Sequence, residues 1–340
     1  MSTNKLKVGF TYDAKADYKL AAGDDKDKYS EFDTEETLAE LEGALKSGGY
    51  RVERIGNVKS LLKKLLAGQK WDIVFNIAEG VSGRNRESQV PAILELFGIP
   101  YTGSDALTMG ITLDKAVAKR ILACNKLSTP GFIEASAPDD LKNFNLKFPV
   151  IVKPAREGTS KGISSNSVAE DIAGVKNKVK KIIEKYAQPA LVEEFISGQE
   201  FTVAIIGTDQ PEVLPPVQIS LKGDTDLGDE FYTHTRAQLD SSEIQYICPS
   251  KAPTALLNRI EALALDSYKA LGCRDLGRID IRVDRKGMPY FLECNPLPHL
   301  GSVDVFPLVA KAMGITYEKL ICRILEHGLK RYNIPVARRA

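Results

Sequence analysis

Residues 277–295 read GRIDIRVDRKGMPYFLECN, two short alternating runs joined across DRKG. This is the pattern of a β-hairpin. Alternate residues of a strand share a face, so Arg278 and Asp280 point one way, as do Glu293 and Asn295. With the turn centred near 285–287, Asp280 falls roughly opposite Glu293, and one face gathers two carboxylates, an amide oxygen and a guanidinium. Hard oxygen ligands suit Mg²⁺ or Mn²⁺, and Mg²⁺ is usually held by one or two carboxylates together with substrate phosphates. Arg278 would bind the same phosphates from the side. An ordinary surface hairpin with an Arg–Asp pair carries the same residues, so the hairpin alone leaves both readings open.

A second candidate is KPAREGTSKGI, 153–163. Lys153 ends an apolar run, FPVIVK, where a lone ammonium is costly without an anionic partner. The loop behind it, with Gly158, Thr159, Ser160 and Gly162, can turn backbone N–H groups toward phosphate oxygens. It is not a Walker A loop, since no G-x-x-x-x-G-K-[ST] occurs here. A flexible surface loop is the alternative. Glu193 and Glu194 close ALVEEFI, and Glu200 opens EFTVAIIG; a carboxylate near such a strand crossing can accept from a ribose hydroxyl, although two solvent-facing acids are the simpler reading of that segment by itself.

The elements that position these groups follow from the pattern. The 340 residues, 43% hydrophobic, are enough to build a core, and the length predicts two or three domains. A strand at 5–11, a helix at 34–47 with Asp33 as N-cap, a strand at 50–55, a helix at 58–67, a strand at 71–77 and a helix at 88–97 alternate as in a parallel, doubly wound sheet. No G-x-G-x-x-G follows the first strand, so a dinucleotide site has no support. Between the first strand and helix lies a polar stretch, 12–32, either a functional loop or a disordered insertion. From 113 onward the character changes to helices at 114–125, 168–186 and 253–271 and short strands with tight connections, which predicts antiparallel sheet. Helices at 304–313 and 316–329 finish the fold.

Composition narrows the partners. With 46 Lys+Arg against 45 Asp+Glu the net charge is +1, which argues against broad electrostatic binding to nucleic acid. No apolar run reaches the ~20 residues that cross a bilayer, and the N-terminus lacks an apolar signal core. Five scattered cysteines form no C-x-x-C pair, so neither a disulfide framework nor a zinc site is expected. A cytoplasmic protein with no nucleic-acid or membrane partner is the expectation.

PYTGS (100–104), TLDKAVAKRIL (112–122), VIVKPAREGTSKG (150–162), EFTVAIIG (200–207), QYICP (245–249), LGRIDIRVD (276–284) and FLECN (291–295) together resemble the D-alanine–D-alanine ligase family of ATP-grasp enzymes, in the family order. The resemblance covers about residues 95–330. It implies an α/β, ATP-grasp fold with an N-terminal parallel α/β domain at 1–112, a central subdomain at 113–196, a C-terminal subdomain with the metal site at 197–332, and a tail at 333–340. It implies an ATP-dependent carboxylate–amine ligase: a carboxylate attacks the γ-phosphate, and an amine displaces phosphate from the acylphosphate. By motif, Lys115 and Lys153 would contact ATP phosphates, Thr159 and Ser160 would cover them, Glu193, Glu194 and Ile196 would meet the adenine, and Glu200 the ribose. Asp280, Glu293 and Asn295 would hold Mg²⁺ or Mn²⁺, and Arg278 would stabilise the acylphosphate and the later oxyanion. Arg236 would stand in for a lysine of the loop that closes over ATP. Small amino acids or amines are the implied substrates, and a homodimer the implied assembly.

The departures from the family fall on the amino-acid side. The Gly-Gly-x-Ser loop and its glutamate are replaced by TYDAKADYK and the acidic stretch, where Glu31 and Glu35 are the candidates. The His-Gly loop is replaced by NIAEGVSGRNRES, with Glu79, Arg84 and Arg86. After the metal ligands, NPLPHLGSVDVFP puts His299 at a glycine position and Asp304 at the serine that meets the second substrate's carboxylate. A carboxylate facing a carboxylate is repelled, so either the second substrate presents a cation or hydroxyl there, or a neighbour such as Arg84 neutralises Asp304. The alternatives are therefore a dipeptide or amide ligase of specialised metabolism with other substrates, and an ATP-binding regulator without turnover.

Overall fold

The structure, a computed structural model, describes residues 5–21, 28–230, 243–302 and 304–336. Three parallel strands open the chain: β1 (Lys7–Thr11), β2 (Arg51–Gly56) and β3 (Ile73–Asn76), in the order β2-β1-β3. Helices α1 (Glu35–Ser47), α2 (Val58–Leu66) and α3 (Gln89–Leu96) connect and follow them, as the alternating pattern requires. The N-cap of α1 is Thr34, which accepts from the Thr37 N–H. Asp33, expected in that role, turns instead toward His299, 3.6 Å away.

Two further helices lead out of this unit, α4 (Ala106–Leu113) and α5 (Lys115–Cys124). The Asp114 carboxylate caps α5 by accepting from Val117 N–H. The first of the two helices was not expected, and neither was a short strand, β4 (Phe132–Ala135). That strand joins β5 (Val150–Pro154), β6 (Val168–Ala169) and β7 (Ala190–Glu194) in an antiparallel sheet ordered β4-β7-β5-β6. Helix α6 (Ile172–Tyr186) covers one face, burying Val175, Val179 and Ile182 at helical spacing.

The largest described sheet runs β11-β10-β8-β12-β13, with β9 beside β8. Its strands are β8 (Gly198–Ile206), β9 (Glu212–Val213), β10 (Val217–Leu221), β11 (Ile244–Ile247), β12 (Leu276–Asp284) and β13 (Pro289–Asn295), paired antiparallel. Gly198 begins β8 at φ +140, and a Cβ there would stand 2.2 Å from the Val283 carbonyl oxygen, so only glycine admits this close approach. Helix α7 (Thr254–Ala270) packs Ile260, Ala264 and Tyr268 against Ile279, Ile281 and Phe291. Helices α8 (Val305–Ala312) and α9 (Tyr317–Arg331) return to the first unit and share a core with Leu38, Leu41 and Leu45 of α1.

The three sheets thus fall in three successive stretches of chain, and one buried hub ties the first stretch to the third. Asp275 accepts from the Gly103 N–H at 3.0 Å, from Thr208 at 2.8 Å and from Arg331 at 2.7 Å. A fully buried carboxylate with this many donors is compensated in place, and it joins the first unit to the last helix.

Candidate active site

A cleft open to solvent at its mouth is lined by residues of the second and third sheets and by loops of the first unit. The hairpin β12–β13 forms one wall. Its register pairs Arg278 with Asn295 and Asp280 with Glu293, as the alternation predicted, and then shifts so that Ile281 faces Phe291. Leu292 is therefore the extra residue of a bulge. Phe291 and Cys294 both enter the core, while Leu292, Glu293 and Asn295 line the cleft.

Asp280 accepts from Thr202 Oγ1 at 2.6 Å, from Asn295 Nδ2 at 3.0 Å and from the Arg278 guanidinium at 3.2 Å. Burial raises its pKa and the charge of Glu293 adds to the rise, against the pull of Arg278. Glu293 behaves oppositely: burial would raise it, but Lys115 and Lys153 outweigh that and hold it low. Two facing carboxylates and an amide that presents oxygen when turned about its axis form a donor set that fits a hard divalent cation. No cluster of three or more His, Cys, Asp or Glu with metal-binding spacing occurs among the described residues, so phosphate oxygens and water would complete such a shell.

The cations of the cleft are built on regular elements. Lys115, at the start of α5, lies 3.1 Å from Glu293 and donates to the Glu157 carbonyl. Lys153, at the end of β5, lies 3.1 Å from Glu193 on β7. The opposite oxygen of Glu193 meets Lys119, 2.6 Å away and fully buried. Burial pulls Lys119 down to about 8, against the support of Glu193. For Lys153 burial acts the same way but Glu193, Glu293 and Glu200 outweigh it, so it stands above the usual lysine range. Lys119 was not singled out from the sequence, although it stands four residues from Lys115 on the same helix face.

Thr159 and Ser160 line the cleft on a loop where both adopt left-handed backbone, φ 49° and 53°. Such a conformation in non-glycine residues persists only where the surroundings hold it, commonly at ligand sites. Glu193, Glu194, Phe195 and Ile196 follow one another along the cleft. The Glu194 carboxylate accepts from the Lys147 N–H at 2.9 Å. Glu200 lies 3.4 Å from Arg282, whose guanidinium also covers the Phe195 ring at 5.0 Å.

The wall expected to hold the amino acids is assembled differently from the expectation. Arg84 does not approach Asp304; it is turned to Asp114, 2.9 Å away, where Arg156 also binds. Arg84 is absent from the cleft wall because Asp114 outcompetes a solvent-facing position for its guanidinium. Asp304 is neutralised instead by His299 at 3.4 Å and Arg278 at 3.8 Å. Burial alone would lower His299, yet Asp304 and Asp33 hold it above the usual histidine range. Burial in turn raises Asp33 to about 6, against the pull of His299. Glu31 lines the cleft and accepts from the Gly158 N–H at 2.8 Å and from Arg86 at 3.1 Å, whereas Glu35 pairs with Arg54 outside it. Arg236 lies outside the described residues, with His234. Glu87, missed from the sequence, lines the cleft beside Glu79.

A family model of the D-Ala D-Ala ligase C-terminus matches residues 134–326, more than half of the chain. The D-alanine–D-alanine ligase of Xanthomonas axonopodis pv. citri is 34% identical over 292 residues, which cover 84% of this chain and 87% of that one. The chain belongs to the D-alanine–D-alanine ligase family. It is therefore an ATP-dependent ligase of ATP-grasp fold. An uncharacterized protein, y4sG, of Sinorhizobium fredii is 37% identical over 260 residues, 76% of this chain and 75% of its own. Among solved structures, D-alanine–D-alanine ligase from Bacillus anthracis superimposes with a TM-score of 0.73 at 25% identity, covering 96% of this chain and 99% of that one. The family's ATP-grasp architecture accounts for two antiparallel sheets enclosing a cleft. Among the described residues no helix is long and apolar enough to cross a membrane.

Proposed function

We propose that the chain joins the carboxylate of one amino acid to the amine of a second at the expense of ATP, with D-alanine as the reference substrate because relatives of similar length carry that name. One observation supports the reading above others: Lys115, Lys153, Arg278, Asp280, Glu293 and Asn295, drawn from four separate elements, line a single cleft. Phosphoryl transfer is catalysed mostly by positioning and by neutralising charge. Lys115 and Lys153 grip the phosphates, and the loop of Thr159 and Ser160 covers them. Glu193, Glu194 and Ile196 border the adenine and Glu200 the ribose. Asp280, Glu293 and Asn295 hold Mg²⁺ or Mn²⁺, which supplies charge neutralisation at the phosphate oxygens. Arg278 faces the acylphosphate and the oxyanion formed when the amine attacks. His299 and Asp304 border the second amino acid; with Asp304 paired to two cations, a substrate carboxylate is not repelled there. The division 1–112, 113–196 and 197–332 follows the three sheets, and a homodimer belongs to the same reading.

The test is ADP release from the full chain with ATP, Mg²⁺ and amino acids, with the amide product identified by mass. We expect turnover that depends on both an acid and an amine. Asp280→Ala should lower it by at least about a thousandfold, as expected when a metal clamp on the transferring group is lost. Retained turnover in that variant, or no ADP release with any amino acid, would overturn the proposal.

A further inference from the structure

Three carboxylates stand on the wall of the cleft contributed by the first unit: Glu31, Glu79 and Glu87. Arg86 is the guanidinium among them, and it is committed to Glu31, whose two oxygens lie 3.1 and 3.3 Å from its Nη2. Glu87 is only 7% exposed, and Glu79 is half-buried. Neither makes a hydrogen bond or an ion pair with any described residue. Lys115 is the ammonium whose charge reaches Glu87, but it is engaged by Glu293 and the Glu157 carbonyl. Burial, with Glu31 and against the pull of Arg86, drives both groups up, Glu87 to about 7 and Glu79 well above its ordinary value. The cluster holds three acids against one guanidinium, an excess that Glu79 and Glu87 relieve by retaining protons until a cation displaces them.

A buried carboxylate without a partner is a standing cost. Everywhere else in the cleft each charge is met within about 4 Å by protein. The α-ammonium of an ordinary amino acid would balance one of the two acids and leave the other facing an apolar methyl group. We propose that Glu79 and Glu87 together take two cationic groups of one substrate, so that the amino acid bound on this wall is a diamino acid carrying a side-chain ammonium. This rests on the ligase reading above and names the substrate class of that same cleft. A site built to pair a charged group discriminates strongly against an analogue that lacks it, because its own buried group is then left unpaired.

The test compares kcat/KM, by ADP release from the full chain, for alanine and for 2,3-diaminopropionate, 2,4-diaminobutyrate, ornithine and lysine in both enantiomers. At least one diamino acid should exceed both alanines by tenfold or more. Glu87→Gln and Glu79→Gln should each cut that preference at least fivefold while thermal stabilisation by a non-hydrolysable ATP analogue persists. If alanine matches or beats every diamino acid, or the preference survives in both variants, the diamino-acid proposal falls and the ligase reading stands. Absence of ADP release with all of them overturns the ligase reading itself. Should either variant fail to fold, the wild-type preference and the other variant decide.

Discussion

The two ends of the cleft are built by different means. At the end proposed for the nucleotide, Lys153, Glu193, Glu200, Arg278, Asp280, Glu293 and Asn295 all sit on paired strands, Lys115 opens a helix, and Thr159 and Ser160 lie on a loop. At the end proposed for the amino acids, Glu31, Glu79, Glu87, His299 and Asp304 sit on connections or at helix entrances. Strand pairing fixes where a side chain points to within a residue, whereas loops tolerate change. The first end is also balanced in charge and the second is not. A scaffold that keeps most of its proposed phosphate contacts on strands and its proposed substrate contacts on loops can change one with little disturbance to the other.

Breaking the nucleotide side should have the largest effect. Arg278→Lys retains a charge but loses the planar fork that spans Asp280 and faces Asp304. Steady-state kinetics should show kcat lower by about 10²–10³-fold with ATP binding retained; a loss under tenfold would equate this side with the loops. Next, Glu193→Gln leaves Lys119 and Lys153 buried without their counter-ion. Urea unfolding should register a loss of about 3–5 kcal/mol, and a near-neutral result would mean that the lysines do not need the carboxylate.

The amino-acid side should respond to pH instead. Asp304 and Asp33 hold His299 above the ordinary histidine value, so its protonated form stabilises the fold. That contribution is whole below about pH 6.5 and is lost as the pH climbs through the raised value. His299→Gln should therefore be less stable than the parent in acid and converge with it in mild alkali; a gap that widens with pH would contradict this. The smallest effect belongs to Arg84, which is 55% exposed and shares Asp114 with Arg156. Arg84→Ala should shift stability by no more than about 0.5 kcal/mol and leave turnover unchanged; a large loss of turnover would return Arg84 to the substrate side.

The same contrast explains what could be read from residues alone. The facing of Asp280 and Glu293 follows from a period of two and a short turn, so it was legible. Lys153 announced itself by ending an apolar run. Arg84, by contrast, lies in a loop where charge pattern gives no direction, and the competing carboxylate, Asp114, is thirty residues away. Helix Ala106–Leu113, with its two threonines and a glycine, gave weak propensity and read as a connection. Strand Phe132–Ala135 is too short to show alternation and is held by its neighbour β7. A short acid before a helix usually caps it, which is what Asp33 suggests in the sequence; its partner, His299, arrives from the far end of the chain.

The bulge at Leu292 governs how this hairpin can change length. In an unbroken ladder Leu292 would oppose Asp280, and Glu293 would turn inward beside Ile279. The additional position lets an apolar residue and a carboxylate stand side by side on the cleft wall. Removal of Leu292 alone would leave Asp280 facing Glu293 in a straight strand, with only a hydrophobic floor tile gone. A residue lost beyond the bulge, such as Cys294, would turn the strand inside out from that point. Descendants of this sequence can therefore shorten the strand at the bulge and still keep both acids in the cleft.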